Sequence, residues 1–217
     1  MQAVCVLPHG CVKSTYLVRT GIILDVLTAL RQSTAQRHTE LDTRTPLAAE
    51  APDLRAYHAH LQLLEAWLAP IQQWLDADAG AGAQPVLPRR DYLGLIRADL
   101  AHPSLADMPD RVRAEDAHWS PQDGAAYRWG VSYVIEGSQL GGAVLYKRLA
   151  QRLAPHPLDY LRGEGSPGPR WQQFLAALRG AVTTPQQIDD ACRGARQAFD
   201  SLIDLLNSSS AGPAGRP

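Results

Sequence analysis

Apolar side chains recur every three or four positions along most of this chain, the spacing of amphipathic helices packed on a common core. The first segment with this spacing contains Leu24, Leu27, Leu30 and Leu41, and Pro46 follows it. Because proline lacks a backbone N–H and clashes with the preceding turn, the pattern predicts a first helix that ends just before residue 46.

The same periodicity predicts most of the remaining elements. Further helices are expected after Pro52, over about 90–100, around 171–178, and from a capping box at 184–187 (Thr-Pro-Gln-Gln) to about residue 206. Residues 76–88 are rich in Ala, Gly and Pro and are predicted to form a loop. Since no alternating strand pattern and no repeat is present, the sequence predicts an all-α fold, a single bundle of six to eight helices.

One predicted helix is unusually long. Ser120 supplies an N-cap, a proline follows at the first helical position and an acid at the third, and the apolar pattern continues to Leu153, just before Pro155. A straight helix of this length would measure about 45 Å, which exceeds the width of a small domain. We therefore expect this helix to bend.

Three glycines, Gly137, Gly141 and Gly142, lie inside the long helix. Each interior helical glycine costs about 0.8–1.0 kcal/mol relative to alanine, in a molecule whose stability is about 5–15 kcal/mol. Two uses would justify this cost: the backbone bends at the glycines, or a flat ligand lies against them.

The glycines form part of a face. Tyr133, Gly137 and Gly141 follow one another at four-residue steps, and Ser138 adds a small polar group beside them. The alternative is a close helix–helix crossing through small residues, for which Ala35 is the candidate on a partner helix. The pattern alone leaves ligand contact and packing equally open.

His38 in the first helix is the second candidate for chemistry. A neutral imidazole can bind a metal through one nitrogen while its other N–H needs an acceptor, and Asp42 stands one turn further on. Arg31, two turns earlier, could pair with a carboxylate of a ligand, and Thr34 shares the same face. The alternative is a buried structural histidine satisfied by a neighbour.

A basic run, Lys147, Arg148 and Arg152, follows the glycines near the end of the long helix. We expect it to be mainly a solvated face that complements the negative end of the helix dipole. A docking site for an acidic electron-transfer partner is the alternative.

Composition and charge exclude several classes of protein. The 217 residues suit one domain, and a formal charge of −1 gives no overall attraction to nucleic acid or an anionic membrane. No apolar run approaches the roughly 20 residues that span a bilayer. Phosphate-binding glycine motifs, the serine-hydrolase elbow, the zinc-protease motif and paired E-x-x-H motifs are all missing.

The cysteines and termini complete the predicted organisation. Cys5, Cys11 and Cys192 are odd in number and form no CxxC pair, so we expect no disulfide framework and a reducing cytoplasm. Residues 1–22 lack clear periodicity and are predicted to be an extension. Residues 23–207 are predicted to form the helical domain, and 208–217 a disordered tail.

Taken together, a helix with a histidine and a bare, bendable helix would hold a planar metal macrocycle with carboxylate arms between them. This combination resembles the heme oxygenase family, in its bacterial branch and especially the enzymes that supply biliverdin to bacteriophytochromes. The resemblance spans about residues 24–205 and rests on four segments: 30–42 (LRQSTAQRHTELD), 88–93 (PRRDYL), 133–142 (YVIEGSQLGG) and 171–175 (WQQFL).

The resemblance implies a helical bundle in which heme lies between a proximal and a kinked, Gly-rich distal helix. His38 matches the iron ligand, and Asp42 matches the acidic partner of that ligand's outer nitrogen. Arg31 matches a basic position that meets a heme propionate. The expected distal and cofactor contacts are Thr34, Tyr133, Gly137, Ser138, Gly141 and Gly142. Ser138 stands where animal members of the family carry an aspartate that organises distal water.

The implied reaction is cleavage of heme by O₂ and supplied electrons to biliverdin, CO and Fe²⁺, so that heme is both cofactor and substrate. A neutral histidine pushes less electron density onto the iron than a thiolate does, which disfavours O–O heterolysis. The implied partners are a ferredoxin or reductase as electron donor and a bacteriophytochrome as biliverdin acceptor.

Two other functions are considered. One is a non-catalytic carrier of heme or another tetrapyrrole on the same fold, which biliverdin formation would exclude. The other is a thiaminase-like hydrolase on a related bundle, whose catalysis resembles cysteine chemistry and would depend on Cys192.

Overall fold

The computed structural model of the chain describes residues 25–77, 87–88, 90–110, 112, 117–163 and 165–210. These residues form seven α-helices, two short 3-10 helices and no strand, which confirms the predicted all-α class. The α-helices are α1 (Val26–Arg44), α2 (Leu54–Ala77), α3 (Tyr92–Leu100), α4 (Ala125–Leu149), α5 (Asp159–Arg162), α6 (Pro167–Ala181) and α7 (Pro185–Ser210). The 3-10 helices are Pro46–Ala48 and Pro103–Leu105.

The predicted extension, residues 1–22, lies outside the described residues, and so does most of the predicted tail. Helix α7 continues to Ser210, so the first three residues of the segment 208–217 are helical and not disordered as expected. In the described ranges, none of the helices combines the length and apolar character needed to cross a bilayer.

One predicted helix start is confirmed and another is wrong. Thr184 and Gln187 form the expected capping box of α7, with Gln187 N donating to Thr184 Oγ1 at 3.2 Å and Thr184 N donating to Gln187 Oε1 at 3.0 Å. Helix α4, however, begins at Ala125 after Gly124, not after Ser120, and it ends at Leu149. The Ser120 carbonyl accepts a hydrogen bond from Gln197 of α7, so this residue anchors the preceding segment to α7.

Helix α7 is the centre of the bundle, because α1, α2 and α4 all pack against it. Three small residues of its buried face, Ala191, Ala195 and Ala198, have no exposed surface. From α2, the Trp67 indole N–H donates to the Ala198 carbonyl at 3.0 Å. Small side chains let three helices approach one axis closely.

The closest approach is the crossing of α4 and α7. A Cβ built at Gly130 would lie 1.8 Å from the Ala191 carbonyl oxygen, and one built at Gly194 would lie 2.1 Å from the Tyr127 carbonyl oxygen. Real Cβ atoms do not tolerate such distances. Each helix therefore has a glycine at the point where the backbone of the other helix approaches. This crossing fixes the position of α4 against α7.

Side-chain pairs set the helix directions. Arg37 of α1 forms a two-point ion pair with Asp200 of α7 at 2.6 and 3.0 Å, and Arg44 donates to Asn207 one heptad further along both helices. Helices α1 and α7 are therefore parallel. Tyr127 of α4 bonds Gln197 and Gly130 meets Ala191, so α4 runs antiparallel to both.

We expect Gly130→Ala and Gly194→Ala to destabilise the protein strongly. The added methyl group would meet backbone, which cannot rotate away, so the helices must separate. Overpacking of this kind costs about 1–3 kcal/mol or more. Urea unfolding followed by far-UV circular dichroism would measure the loss.

Gly180→Ala is the matched control, because a Cβ at this helical glycine of α6 meets nothing within 4 Å. Alanine should stabilise an open helical position by about 0.4–1 kcal/mol. Equal stabilities for the three variants would contradict the proposed role of the glycine crossing.

Candidate functional site

His38 and Asp42 form a local pair on the exposed side of α1. The imidazole Nδ1 lies 2.9 Å from Asp42 Oδ2, as the one-turn spacing predicted. The His38 side chain is 66% exposed, and its ring centroid lies 6.1 Å from that of Phe199 on α7. The alternative of a buried structural histidine is therefore wrong. With Asp42 accepting the Nδ1 proton, Nε2 carries the lone pair that can bind a metal.

Arg31 of α1 and Tyr133 of α4 are neighbours. Burial raises the pKa of the Tyr133 hydroxyl, and the positive charge of the nearby Arg31 guanidinium opposes that rise. Two residues predicted from distant segments are thus adjacent. Thr34 is placed differently: it is buried, and its hydroxyl donates to the Leu30 carbonyl at 2.8 Å. Thr34 therefore faces the core and bonds within its own helix, and its contact with a cofactor stays a prediction.

Gly137 and Gly141 form what we call the glycine face of α4. A Cβ at Gly137 would lie 3.5 Å from the Trp171 ring, and one at Gly141 would meet no described atom within 4 Å. Val144, one turn beyond on the same face, is 67% exposed. Among the described residues, no small side chain lies within 4 Å of either Cβ position, and Ala35 is itself exposed. The helix-crossing alternative therefore applies to Gly130 and not to the glycine face.

Gly142 points away from this open face, toward α5, and Ser138 lies at the edge of the face. A Cβ at Gly142 would lie 3.8 Å from the Leu161 carbonyl of α5, an ordinary packing distance. The Ser138 hydroxyl is exposed and donates to the Ile135 carbonyl at 2.7 Å. Their contacts with a cofactor remain predictions.

A charged cluster that the sequence analysis missed lies directly behind the glycine face. Glu136 of α4 and Arg170 of α6 form a two-point ion pair, with N–O distances of 2.7 and 2.6 Å and exposed fractions of only 12% and 14%. The Tyr92 hydroxyl donates to Glu136 Oε2 at 3.2 Å, and Arg170 Nη1 donates to the Pro88 carbonyl at 2.8 Å. The cluster ties α3 and α6 to α4.

The sequence contains both charged residues of this cluster, but no local pattern indicates that they form a pair. Glu136 is a charge in an apolar and glycine-rich stretch, and Arg170 directly precedes Trp171. The Trp171 ring lies 5.4 Å from the Tyr133 ring and stacks on Phe174 at 5.6 Å. The ion pair thereby holds an aromatic wall beside Gly137.

The basic run near the end of α4 is only partly a solvated face. Arg152 donates to the Pro52 and Ala51 carbonyls at 3.0 and 3.3 Å, and Arg148 donates to the Leu47 carbonyl. Two of the three basic residues thus hold the connection between α1 and α2. Lys147 remains exposed at the helix end.

Cys192 does not have the environment of a catalytic nucleophile. It is buried, and burial raises the pKa of its thiol. A thiol kept protonated reacts poorly, whereas cysteine hydrolases lower this pKa. The geometry thus argues against the hydrolase alternative.

The chain resembles known proteins in sequence and in fold. The family described as Heme oxygenase matches residues 24–208. The chain is similar to a heme oxygenase of Xanthomonas campestris pv. campestris, with 30% identity over 175 residues that cover 78% of this chain and 92% of the relative. Heme oxygenase PigA of Pseudomonas aeruginosa is 33% identical over 118 residues, 51% of this chain and 58% of that protein.

A solved structure has the same fold. The NO- and CO-bound heme oxygenase from Neisseria meningitidis superposes with a TM-score of 0.66 over 89% of this chain and 96% of that chain, at 22% sequence identity. The arrangement of helices is thus shared although four of five residues differ.

We expect Arg170→Met to destabilise the protein by about 3 kcal/mol, because it leaves the Glu136 carboxylate nearly buried without its cation. Arg179→Met is the matched control. Arg179 also pairs with a carboxylate, that of Asp25, but both side chains are about half exposed, and such pairs contribute below about 1 kcal/mol. Thermal unfolding of both variants measures the difference, and equal losses would argue against the anchoring role of the Glu136 pair.

Proposed function

Since the chain belongs to the heme oxygenase family, we propose that His38 is its heme-iron ligand and that the glycine face of α4 covers the opposite side of the macrocycle. The protein catalyses oxidative cleavage of heme to biliverdin, CO and ferrous iron, with O₂ and externally supplied electrons. The observation that carries the site assignment is the exposed His38, whose Nδ1 lies 2.9 Å from Asp42 Oδ2, on the helix whose Arg31 lies near Tyr133 of α4.

The residues present fit a heme. The iron needs a neutral imidazole nitrogen, and Nε2 of His38 is the nitrogen that Asp42 leaves available. The flat face of the ring needs a surface without side chains, and a Cβ at Gly141 would point into open space. The exposed Val144 adds apolar surface next to that space. An amphipathic planar ligand matches this combination of surfaces.

When bound, heme is both the substrate and the source of the iron at which O₂ is activated. The chain's own residues bind and orient it. Asp42 fixes the tautomer and ring orientation of His38, and Arg31 offers a guanidinium to a propionate. Gly137 and Gly141 let the backbone of α4 approach the ring directly, since no Cβ intervenes.

The remaining partners follow from the family resemblance. The protein takes electrons from an external donor, which we propose to be a ferredoxin or a reductase. We further propose that a bacteriophytochrome accepts the biliverdin, that the reaction takes place in the cytoplasm, and that residues 23–207 are the working unit. Transfer of newly formed biliverdin to an apo-bacteriophytochrome, followed by its red absorption, would test the acceptor.

His38→Ala is expected to abolish turnover and to remove most of the five-coordinate ferric heme spectrum, because the iron loses its protein ligand. Absorption spectra with hemin, and biliverdin formation with ascorbate or a ferredoxin system, measure both effects. His118→Ala is the control, because His118 is an exposed histidine on the segment before α4. An unchanged Soret band together with unchanged turnover in His38→Ala would remove the ligand assignment.

Gly141→Leu is expected to lower heme affinity or turnover at least tenfold, about 1.4 kcal/mol, while the far-UV helical signal stays the same. The reason is steric: the new side chain enters open space in the protein, but that space is where the ring would lie. Gly180→Leu adds the same side chain at another open glycine and should leave heme binding unchanged. Normal heme affinity and turnover in Gly141→Leu would count against the glycine face as the heme-binding surface.

A further inference from the structure

We propose that Tyr160 is a positioning residue for the glycine-rich part of α4, acting through Ser138 and Gln139. The inference rests on the proposed function, because it concerns how the glycine face is held against heme. Tyr160 lies on the short helix α5, far in sequence from both α1 and the glycine face. Its position depends on a buried carboxylate, and its hydroxyl reaches the turn that follows Gly137.

The buried carboxylate is that of Asp99 at the end of α3, which has no exposed surface. Its Oδ1 accepts from the Asp159 backbone N–H at 3.0 Å. Its Oδ2 accepts from the Tyr160 N–H at 2.9 Å and from the Tyr57 hydroxyl at 2.5 Å. A buried charge needs such partners, and three donors from two other segments satisfy it. Asp99 therefore fixes the start of α5 to the core.

The side chains of α5 then support α4. The Tyr160 ring is buried, and its hydroxyl oxygen accepts from Gln139 Nε2 at 3.3 Å. Burial raises the pKa of Tyr160, and the hydrogen bond from Gln139 and the nearby Ser138 hydroxyl oppose the rise. Next to it, Leu161 packs against Gly142. Helix α5 thus contacts α4 at Gln139 and Gly142, within the segment that contains the three glycines.

The direction of the hydrogen bonds shows what the phenol contributes. The Ser138 hydroxyl proton is directed to the Ile135 carbonyl at 2.7 Å, so the Ser138 oxygen is left as an acceptor. The Gln139 amide nitrogen donates to that oxygen at 3.4 Å and to the Tyr160 hydroxyl oxygen at 3.3 Å. Gln139 therefore links Ser138 to the phenol of Tyr160.

This support matters because the supported segment is weak by itself. A helix with three glycines in six residues has more backbone freedom and a higher cost of formation than an ordinary helix. At Gly137 and Gly141, the face that would touch heme has no side chain with which to pack. Contacts from behind, through Tyr160 and Leu161, are what hold its orientation.

The test compares Tyr160→Phe with Tyr127→Phe. Each variant keeps a buried ring and removes one hydroxyl, and Tyr127 bonds Gln197 at 2.6 Å more than two turns before the glycines. In the heme-free protein, amide hydrogen exchange of residues 137–142 should become about fivefold faster in Tyr160→Phe only, the effect of losing one hydrogen bond of about 1 kcal/mol. This readout does not depend on catalysis.

In the heme complex, Tyr160→Phe should leave heme affinity within about twofold, because His38 and Arg31 are untouched, while turnover falls about fivefold and the biliverdin isomer ratio changes. Ser138→Ala should change the isomer ratio in the same direction, and the double variant should add little, since each removes an acceptor of the same Gln139 amide. If Tyr160→Phe does not fold, Ser138→Ala tests the proposal in its place.

Three results would overturn the inference. Exchange, turnover and isomer ratio could all be unchanged in Tyr160→Phe, or Tyr127→Phe could reproduce its changes, or the Tyr160 and Ser138 effects could add fully. None of these would affect the His38 assignment, as long as the unaltered protein converts heme to biliverdin. Failure of the unaltered protein to do so would overturn the proposed function and this inference together.

Discussion

The contact between two backbones at Gly130 and Gly194 is the constraint on which the rest of this structure depends. It brings α4 so close to α7 that no side chain fits between the helices at either position. The parallel helix α1 is fixed to the same central helix by the ion pair between Arg37 and Asp200. The histidine helix and the glycine helix are thus positioned by a common third helix, and their meeting at Arg31 follows from that arrangement.

Glycine has opposite uses along α4. Gly130 removes a side chain so that protein backbone can approach, whereas Gly141 removes one where no protein atom follows. The first use increases stability through packing, and the second sacrifices helix stability for an open surface. The surrounding structure compensates for the helix stability lost in the second use, because the Glu136–Arg170 ion pair and Tyr160 hold α4 from behind. A weak helical segment is therefore kept in one orientation by stronger neighbours.

The predicted start of α4 failed because a distant part of the chain binds the same group. Ser120 has the sequence of an N-cap, but its carbonyl bonds Gln197, and the helix starts at Ala125. The local pattern permitted this prediction, and a tertiary contact decided otherwise. Thr34 is a different case: it shares a face with His38 on a helical projection, its buried hydroxyl bonds the Leu30 carbonyl within α1, and its contact with a cofactor stays a prediction.

The sequence by itself determined the features that depend on residues within one helical turn. These are the amphipathic helices, the capping box at Thr184, and the pair of His38 with Asp42, because helix geometry alone brings positions i and i+4 together. The family resemblance added the order of the two segments. Only the tertiary structure decided which glycine packs and which faces open space, and which residues support the site. Glu136 meets Arg170 across 34 positions, and Tyr160 reaches α4 from a separate helix; such contacts depend on how whole helices pack, which no local pattern contains.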